Sequence, residues 1–190
     1  FSTIRPDDAG EFPSIGAKGC FLSHLNILKN ALKDGLHNIL ILEDDVSFTP
    51  DWEQMSGHML DPLATAPWHF IYFGHNETLE QNTAGLVPTT SPIATTHCYA
   101  LNGDVIKPLH DYLELCLSRP AGHPMGGAMH VDGAYSLFRK LHPQYLTLIA
   151  TPALAYQRSS RSDIYPNKWY DRNVLLQHVA EFLRHIKNKM

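Results

Sequence analysis

Ile39-Leu40-Ile41-Leu42-Glu43-Asp44-Asp45 is the stretch whose reading decides the fold. Four consecutive aliphatic residues have the signature of a strand buried on both faces of a sheet, and three carboxylates follow at once. Upstream, residues 16–35 read as an amphipathic helix with a glycine at each end. Phe21, Leu25, Leu28 and Leu32 fall at i, i+4, i+7 and i+11, one stripe of a 3.6-residue period. Gly35 suits the left-handed residue that ends a helix and reverses the chain. Helix, short turn and buried strand make the αβ half of a βαβ unit.

Outward from this unit, strands and helices alternate. Residues 68–73 read as a second strand, 74–92 as a polar loop, and 97–101 as a strand. Residues 104–117 read as a helix with Val105, Leu109, Leu113 and Cys116 on one side, provided Pro108 lies near its start. The Gly- and Pro-rich residues 119–129 are expected to form a loop, 132–141 a short helix and 145–150 a strand. Residues 174–186 close the chain as a helix with Leu175, Val179, Phe182 and Ile186 aligned. No repeat or linker divides the 190 residues, so one α/β domain is expected. Phe1 is no initiator, which suggests a piece of a longer chain.

Composition narrows the function classes. The hydrophobic fraction of 44% fits a packed core, and a net charge of −4 gives no basic footprint for nucleic acid. No apolar run approaches the roughly 20 residues of a membrane-spanning helix. Three cysteines (Cys20, Cys98, Cys116) without a C-x-x-C pair encode neither a disulfide framework nor a zinc knuckle, and favour a reducing compartment. The twelve histidines are scattered, with no H-x-x-x-H pair on one helical face.

The acidic triplet is the chemical signal. It falls at the carboxyl end of what reads as a central strand, the edge where open α/β sheets bind ligands. Two unit charges about 4 Å apart repel by about 4 kcal/mol at an effective dielectric near 20. A divalent cation relieves this, and oxygen ligands suit magnesium or manganese. If the strand continues, Glu43 and Asp45 point to one side and can share an ion while Asp44 faces elsewhere. The plain alternative is a solvated acidic turn ahead of a helix near Asp51.

Gly16-Ala17-Lys18-Gly19-Cys20-Phe21-Leu22-Ser23-His24, followed one helix later by Ile39 to Asp45, resembles glycosyltransferase family 25, with its G-x-x-G-C-x-x-S-H and L-I-L-E-D-D motifs. Pro152, Gln157 and Ser162-Asp163-Ile164 are similar to the family's P…Q…S-D-I pattern, and Thr96-His97-Cys98-Tyr99-Ala100 and Val131-Asp132 match more loosely. The resemblance covers residues 14–165. It implies a GT-A-like (Rossmann-like) nucleotide-sugar transferase fold, a mixed central sheet flanked by helices, here without the family's opening I-N-L-x-x-R strand and helix. It further implies a UDP-sugar donor (UDP-galactose or UDP-glucose), inversion at the anomeric carbon, manganese or magnesium, and a glycan or glycolipid acceptor, as in lipooligosaccharide synthesis. Cytoplasmic placement with peripheral contact at the inner membrane is the corresponding expectation.

Roles follow residue by residue. The resemblance makes Glu43 and Asp45 the metal site, and assigns Ser23, His24, Asp44, Gln157, Ser162 and Asp163 to the donor. Asp132 is the candidate base that takes the acceptor's proton; its plain alternative is a helix N-cap. Gly19 and Cys20 read as close-packing residues, and Arg158 and Arg161 as members of a solvated loop. Two other classes remain: a non-catalytic glycan-binding or adhesion module of the same fold, and a magnesium-dependent phosphoryl-transfer or hydrolase enzyme. The latter lacks a Walker motif and a nucleophile.

Overall fold

The computed structural model describes residues 4–64, 66–77 and 84–158. The expected C-terminal helix at 174–186, together with Arg161, Ser162 and Asp163, lies outside the described residues. Helix α1 spans Ile15–Lys33, opened by Ser14, whose hydroxyl accepts from the Ala17 amide at 3.0 Å. Gly35, with φ +63°, turns the chain into strand β1, Asn38–Leu42. Then follow β2 (Val46–Phe48), α2 (Trp52–Leu60), a 3₁₀ turn (Asp61–Ala64), β3 (Phe70–Tyr72), β4 (Gly85–Pro88) and β5 (Cys98–Asn102). Helices α3 (Gly103–Leu117) and α4 (Val131–Leu141) lead into β6 (Thr147–Thr151) and β7 (Ala155–Gln157).

Five strands form one mixed sheet in the order β1-β5-β3-β6-β4, with β3 and β6 parallel and the other neighbours antiparallel. Strands β2 and β7 pair separately as an antiparallel ribbon. The pleat sends alternate residues to opposite faces. Phe70, Tyr72, Tyr99, Leu101 and Ile149 meet Phe21 and Leu28 of α1, Leu109 and Leu113 of α3, and Tyr135 and Phe138 of α4. Ile71, Phe73, Cys98, Ala100, Leu148 and Ala150 face the other way, toward Met59 of α2 and Trp68. The result is the mixed α/β fold, a central mixed sheet flanked by helices, that the GT-A expectation describes. No helix of the described residues is long and apolar enough to cross a membrane.

The reading of β1 needs correction in two respects. It is not a central strand buried on both faces but an edge strand among the described residues. Ile41 is 5% exposed, whereas Leu40 and Leu42 are 50% and 46% exposed. An aliphatic run cannot distinguish these cases, because Ile39 and Ile41 alone satisfy the face packed under α1 and α3. Nor does the strand continue through the carboxylates: the Val46 amide returns to the Glu43 carbonyl at 3.2 Å, closing a turn between β1 and β2. Strand β4 lies inside the stretch read as polar loop, and β7 after β6 has no sequence signal of its own. On the helical stripe, Leu32 is exposed and Ala31 takes the buried position instead.

The one-sided burial of β1 is directly measurable. Ile41→Ala should destabilise the chain by about 2–5 kcal/mol, as core truncations do, and Leu40→Ala by less than about 1 kcal/mol. Urea unfolding followed by circular dichroism reads the difference, and equal losses would refute it.

Candidate active site

Chain direction gathers the site. Strands β1, β3 and β6 end on the same edge, since β5 opposes β1 and β3 while β6 parallels β3. Helix α1 runs back against β1, so its N-terminal half, with Cys20 and His24, lies over that edge. Helix α4 precedes β6 and presents its first turn there too, carrying Asp132. The ribbon β2–β7 borders the same edge and contributes Gln157, which pairs with Val46.

Glu43 is held from beneath. Its Oε1 accepts from the Thr96 hydroxyl at 2.7 Å and lies 3.3 Å from His24 Nε2. His24, 4% exposed, places Nδ1 2.7 Å from the Tyr99 hydroxyl, which is 3.0 Å from that of Tyr135. With Nε2–H donating to Glu43, Nδ1 accepts from Tyr99 and Tyr99 in turn accepts from Tyr135. Burial pushes the Glu43 carboxyl up, but the His24 hydrogen bond, the positive charge of His24 when protonated, and the Thr96 hydroxyl outweigh it and hold the group below its ordinary value.

Asp45 is held from the side. Its Oδ2 accepts from Gln157 Nε2 at 2.8 Å, while Oδ1 is buried with no hydrogen-bond partner among the described residues. Burial raises its carboxyl above the ordinary value; the Gln157 bond opposes this, and the charges of Glu43 and Asp44 add to it. Asp44 is exposed at the turn. Arg158 braces this turn, its Nη2 donating to the Asp44 carbonyl at 2.7 Å and its backbone amide to the Asp45 carbonyl at 2.8 Å.

Asp132 is not the N-cap of α4. His130 takes that position, and Asp132 stands in the first turn with Oδ1 accepting from the Gly133 amide at 2.7 Å. There a carboxylate meets the positive end of the helix. Cys20 ties the groups together electrostatically: burial pushes its thiol up to about 12, with the charges of Glu43, Asp132 and Asp45 contributing. Ser23 is occupied elsewhere, donating to the Gly19 carbonyl at 2.7 Å and accepting from the Ile4 amide at 3.1 Å. A Cβ on Gly19 would lie 2.6 Å from the Ile4 carbonyl oxygen, so the glycine does serve close packing.

The structure adds residues that the sequence reading left unassigned: Thr96, His97, Tyr99 and Tyr135. The His97 carbonyl accepts from the Glu43 amide at 3.0 Å, and its buried Nδ1 has no partner among the described residues. The His97 ring packs so tightly on Gly74 that a Cβ there would collide with it. The Thr96 to Ala100 motif held this information, but only as a strand that resembled a family pattern.

A mixed-sheet α/β domain with clustered carboxylates at its strand ends is the class that fold and site define. Residues 3–117 match the family model described as glycosyltransferase family 25 (LPS biosynthesis protein), and the chain belongs to that family. A Drosophila melanogaster glycosyltransferase 25 family member is 30% identical over 131 residues, 68% of this chain and 21% of the relative. Human procollagen galactosyltransferase 2 is 27% identical over 131 residues, 67% of this chain and 20% of its own length. A Bos taurus relative named probable inactive glycosyltransferase 25 family member 3 is 27% identical over 86 residues, 44% of this chain and 14% of its own. The chain thus spans about a fifth of the fly and human relatives.

The raised Asp45 carboxyl makes a stability test. A carboxyl whose folded pKa is raised stabilises the fold below its unfolded pKa, and that contribution is lost as the pH rises through the folded value. In the metal-free chain at pH 7, Asp45→Asn should therefore raise the thermal midpoint by about 1–3 °C. The gain should shrink as the pH falls into the carboxylate range. A lower midpoint at neutral pH, read by calorimetry, would contradict the cost of burying this charge.

Proposed function

We propose that this domain is a metal-dependent inverting glycosyltransferase that moves galactose or glucose from a UDP-sugar to a hydroxyl of a glycan or glycolipid acceptor. One observation carries the reading: the buried Oδ1 of Asp45, without a hydrogen-bond partner among the described residues, in the neighbourhood of the anchored Glu43 carboxylate. Each carboxylate has one oxygen tied by the protein, Oε1 of Glu43 and Oδ2 of Asp45. This donor set fits a hard divalent cation. Glu43 and Asp45 would hold manganese or magnesium, whose charge would balance the diphosphate of the leaving UDP.

The chain's own residues account for the rest. His24 and Thr96 keep Glu43 ionised and oriented; Gln157 orients Asp45 and partly offsets the burial that raises its carboxyl. Arg158 fixes the backbone of the turn, which keeps the two carboxylates in register. Asp132 is proposed as the base, taking the acceptor hydroxyl's proton as that oxygen bonds to the anomeric carbon and the bond to UDP breaks. The same-end placement of α4 supports this role. Ser23, with its hydroxyl engaged by backbone, is proposed to shape the N-terminal segment rather than bind donor. Ser162 and Asp163 are kept as donor-binding proposals on the motif alone.

The galactosyl reading draws support from the human relative's name, and a lipid-linked glycan acceptor from the family's description. A glycolipid acceptor puts the reaction at a membrane surface, and three free thiols suit the reducing cytoplasmic side. The bovine relative's name favours a second reading, a non-catalytic glycan-binding member.

Release of UDP from a panel of UDP-sugars, with and without manganese, separates the two. Metal-dependent release from UDP-galactose or UDP-glucose is expected. Asp45→Asn should lower kcat/KM by about 10²-fold or more through lost cation binding, and Asp132→Asn should lower kcat by about 10²–10⁴-fold. No release across the panel, with UDP and manganese failing to stabilise the chain, would defeat the enzymatic reading.

A further inference from the structure

We infer that Cys20, His24 and Glu43 form a site for a borderline-soft divalent cation, zinc foremost, distinct in its donors from the Glu43–Asp45 pair. The Cys20 sulfur, a ring nitrogen of His24 and a carboxylate oxygen of Glu43 all lie within 4.8 Å of one another. Cys20 and His24 stand at i and i+4 on α1, hence on one helical face. Glu43 meets them from the turn after β1. Bonds of about 2.0–2.3 Å place two ligands of one tetrahedral zinc roughly 3.3–3.6 Å apart. His24 Nε2 and Glu43 Oε1 already have that spacing, at 3.3 Å. The Cys20 sulfur lies within 4.8 Å of both, and ligation requires it to approach to the same spacing.

The surroundings of His24 suit ligation. A metal on Nε2 takes the lone pair there and puts the ring proton on Nδ1. The Tyr99 hydroxyl is 2.7 Å from Nδ1, and across the 3.0 Å to Tyr135 either hydroxyl can be the donor. The tyrosine pair can therefore accept from Nδ1 as well as donate to it, and outer partners of this kind orient a ligating histidine. As the sulfur–zinc bond forms, the thiol proton leaves to solvent. A thiolate, an imidazole and a carboxylate together favour zinc over magnesium, and three protein donors leave a fourth position open. Because Glu43 belongs to both donor sets, filling one withdraws it from the other. The inference needs no sugar nucleotide and stands on geometry apart from the proposed transfer.

Cobalt(II) titration of the metal-stripped chain tests it. One equivalent should bring up a near-ultraviolet sulfur-to-cobalt charge-transfer band and the visible bands of a tetrahedral site, both bleached by one equivalent of zinc. Cys20→Ser and Cys20→Ala should lose the sulfur band and bind zinc at least about tenfold more weakly, with unchanged far-ultraviolet circular dichroism; Asp45→Asn should retain the band. In the unaltered chain, zinc should protect Cys20 from alkylation, read by peptide mass spectrometry, so the test does not hang on a variant that folds. A weak octahedral spectrum without a sulfur band would overturn the site. So would a band surviving in a folded Cys20 variant, or alkylation of Cys20 at the same rate with zinc present.

Discussion

A carboxylate drawn halfway into the interior stays charged only if the interior supplies donors, and Glu43 shows where they come from. The chain of groups runs from Tyr135 on α4 through Tyr99 on β5 to His24 on α1, and so to Glu43. Tyr99 and Tyr135 belong to the same apolar cluster that holds the sheet and helices together, edge-to-face at 5.5 Å between ring centroids. Each hydroxyl is buried, so each needs its neighbour; removal of one leaves the next unpaired in a medium where that is expensive. Packing and site chemistry are thus one network. The core does not merely support the acidic turn from a distance but determines the protonation and aim of its first residue.

Topology explains why such a network can exist. The parallel pair β3–β6 requires a crossover, and α3 and α4 lie on that connection. A helix that returns against a strand brings its N-terminus to the strand's carboxyl end, so α1 and α4 both deliver their early residues to one edge. Cys20, His24 and Asp132 come from these two helices, while Glu43, Asp45, Thr96 and Gln157 come from strand ends and the segments beside them. The second ribbon, β2–β7, then grips the acidic turn on its far side, with Arg158 on the carbonyls of residues 44 and 45.

The helices were the readable part of the sequence. Residues 16–35 and 104–117 advertise themselves by apolar period and, for the first, a closing Gly35, signals that act locally, as do the Ser14 and Asn102 caps that the structure adds. The strand environments were not readable to the same degree. Whether Ile39 to Leu42 is central or at an edge depends on what else pairs with it, a non-local fact that four aliphatic residues cannot encode. The turn at 43–46 was obscured for a related reason: alternation assumes an extended chain, and one hydrogen bond to the Glu43 carbonyl abolishes it. Site residues followed the same division. The carboxylates were legible because adjacent like charges demand an explanation. Thr96 and Tyr99 were not, since a Thr and a Tyr in a strand are ordinary β-formers until the fold turns their hydroxyls toward Glu43 and His24. Cys20-x-x-x-His24 is a mixed pair with the helical geometry of H-x-x-x-H, and the pattern of histidines alone does not reveal it.

Glu43 stands between two environments of different chemical hardness. On the α1 side lie a thiol and an imidazole; on the ribbon side lie Asp45 and the amide of Gln157. Its Oε1 already leans toward α1, held by His24 and Thr96, while the ribbon side holds an oxygen of Asp45 that has no partner among the described residues. Oxygen donors with a net double negative charge favour a small hard ion, and a set containing sulfur favours a softer one. The proposed transfer chemistry needs the first arrangement, because a diphosphate is itself an oxygen ligand and completes a hard shell. The second closes the thiol side around the same carboxylate. In the proposed scheme the two cations compete for one side chain, and the Tyr99–Tyr135 pair bears on that competition by donating a hydrogen bond to His24 Nδ1 or accepting one from it.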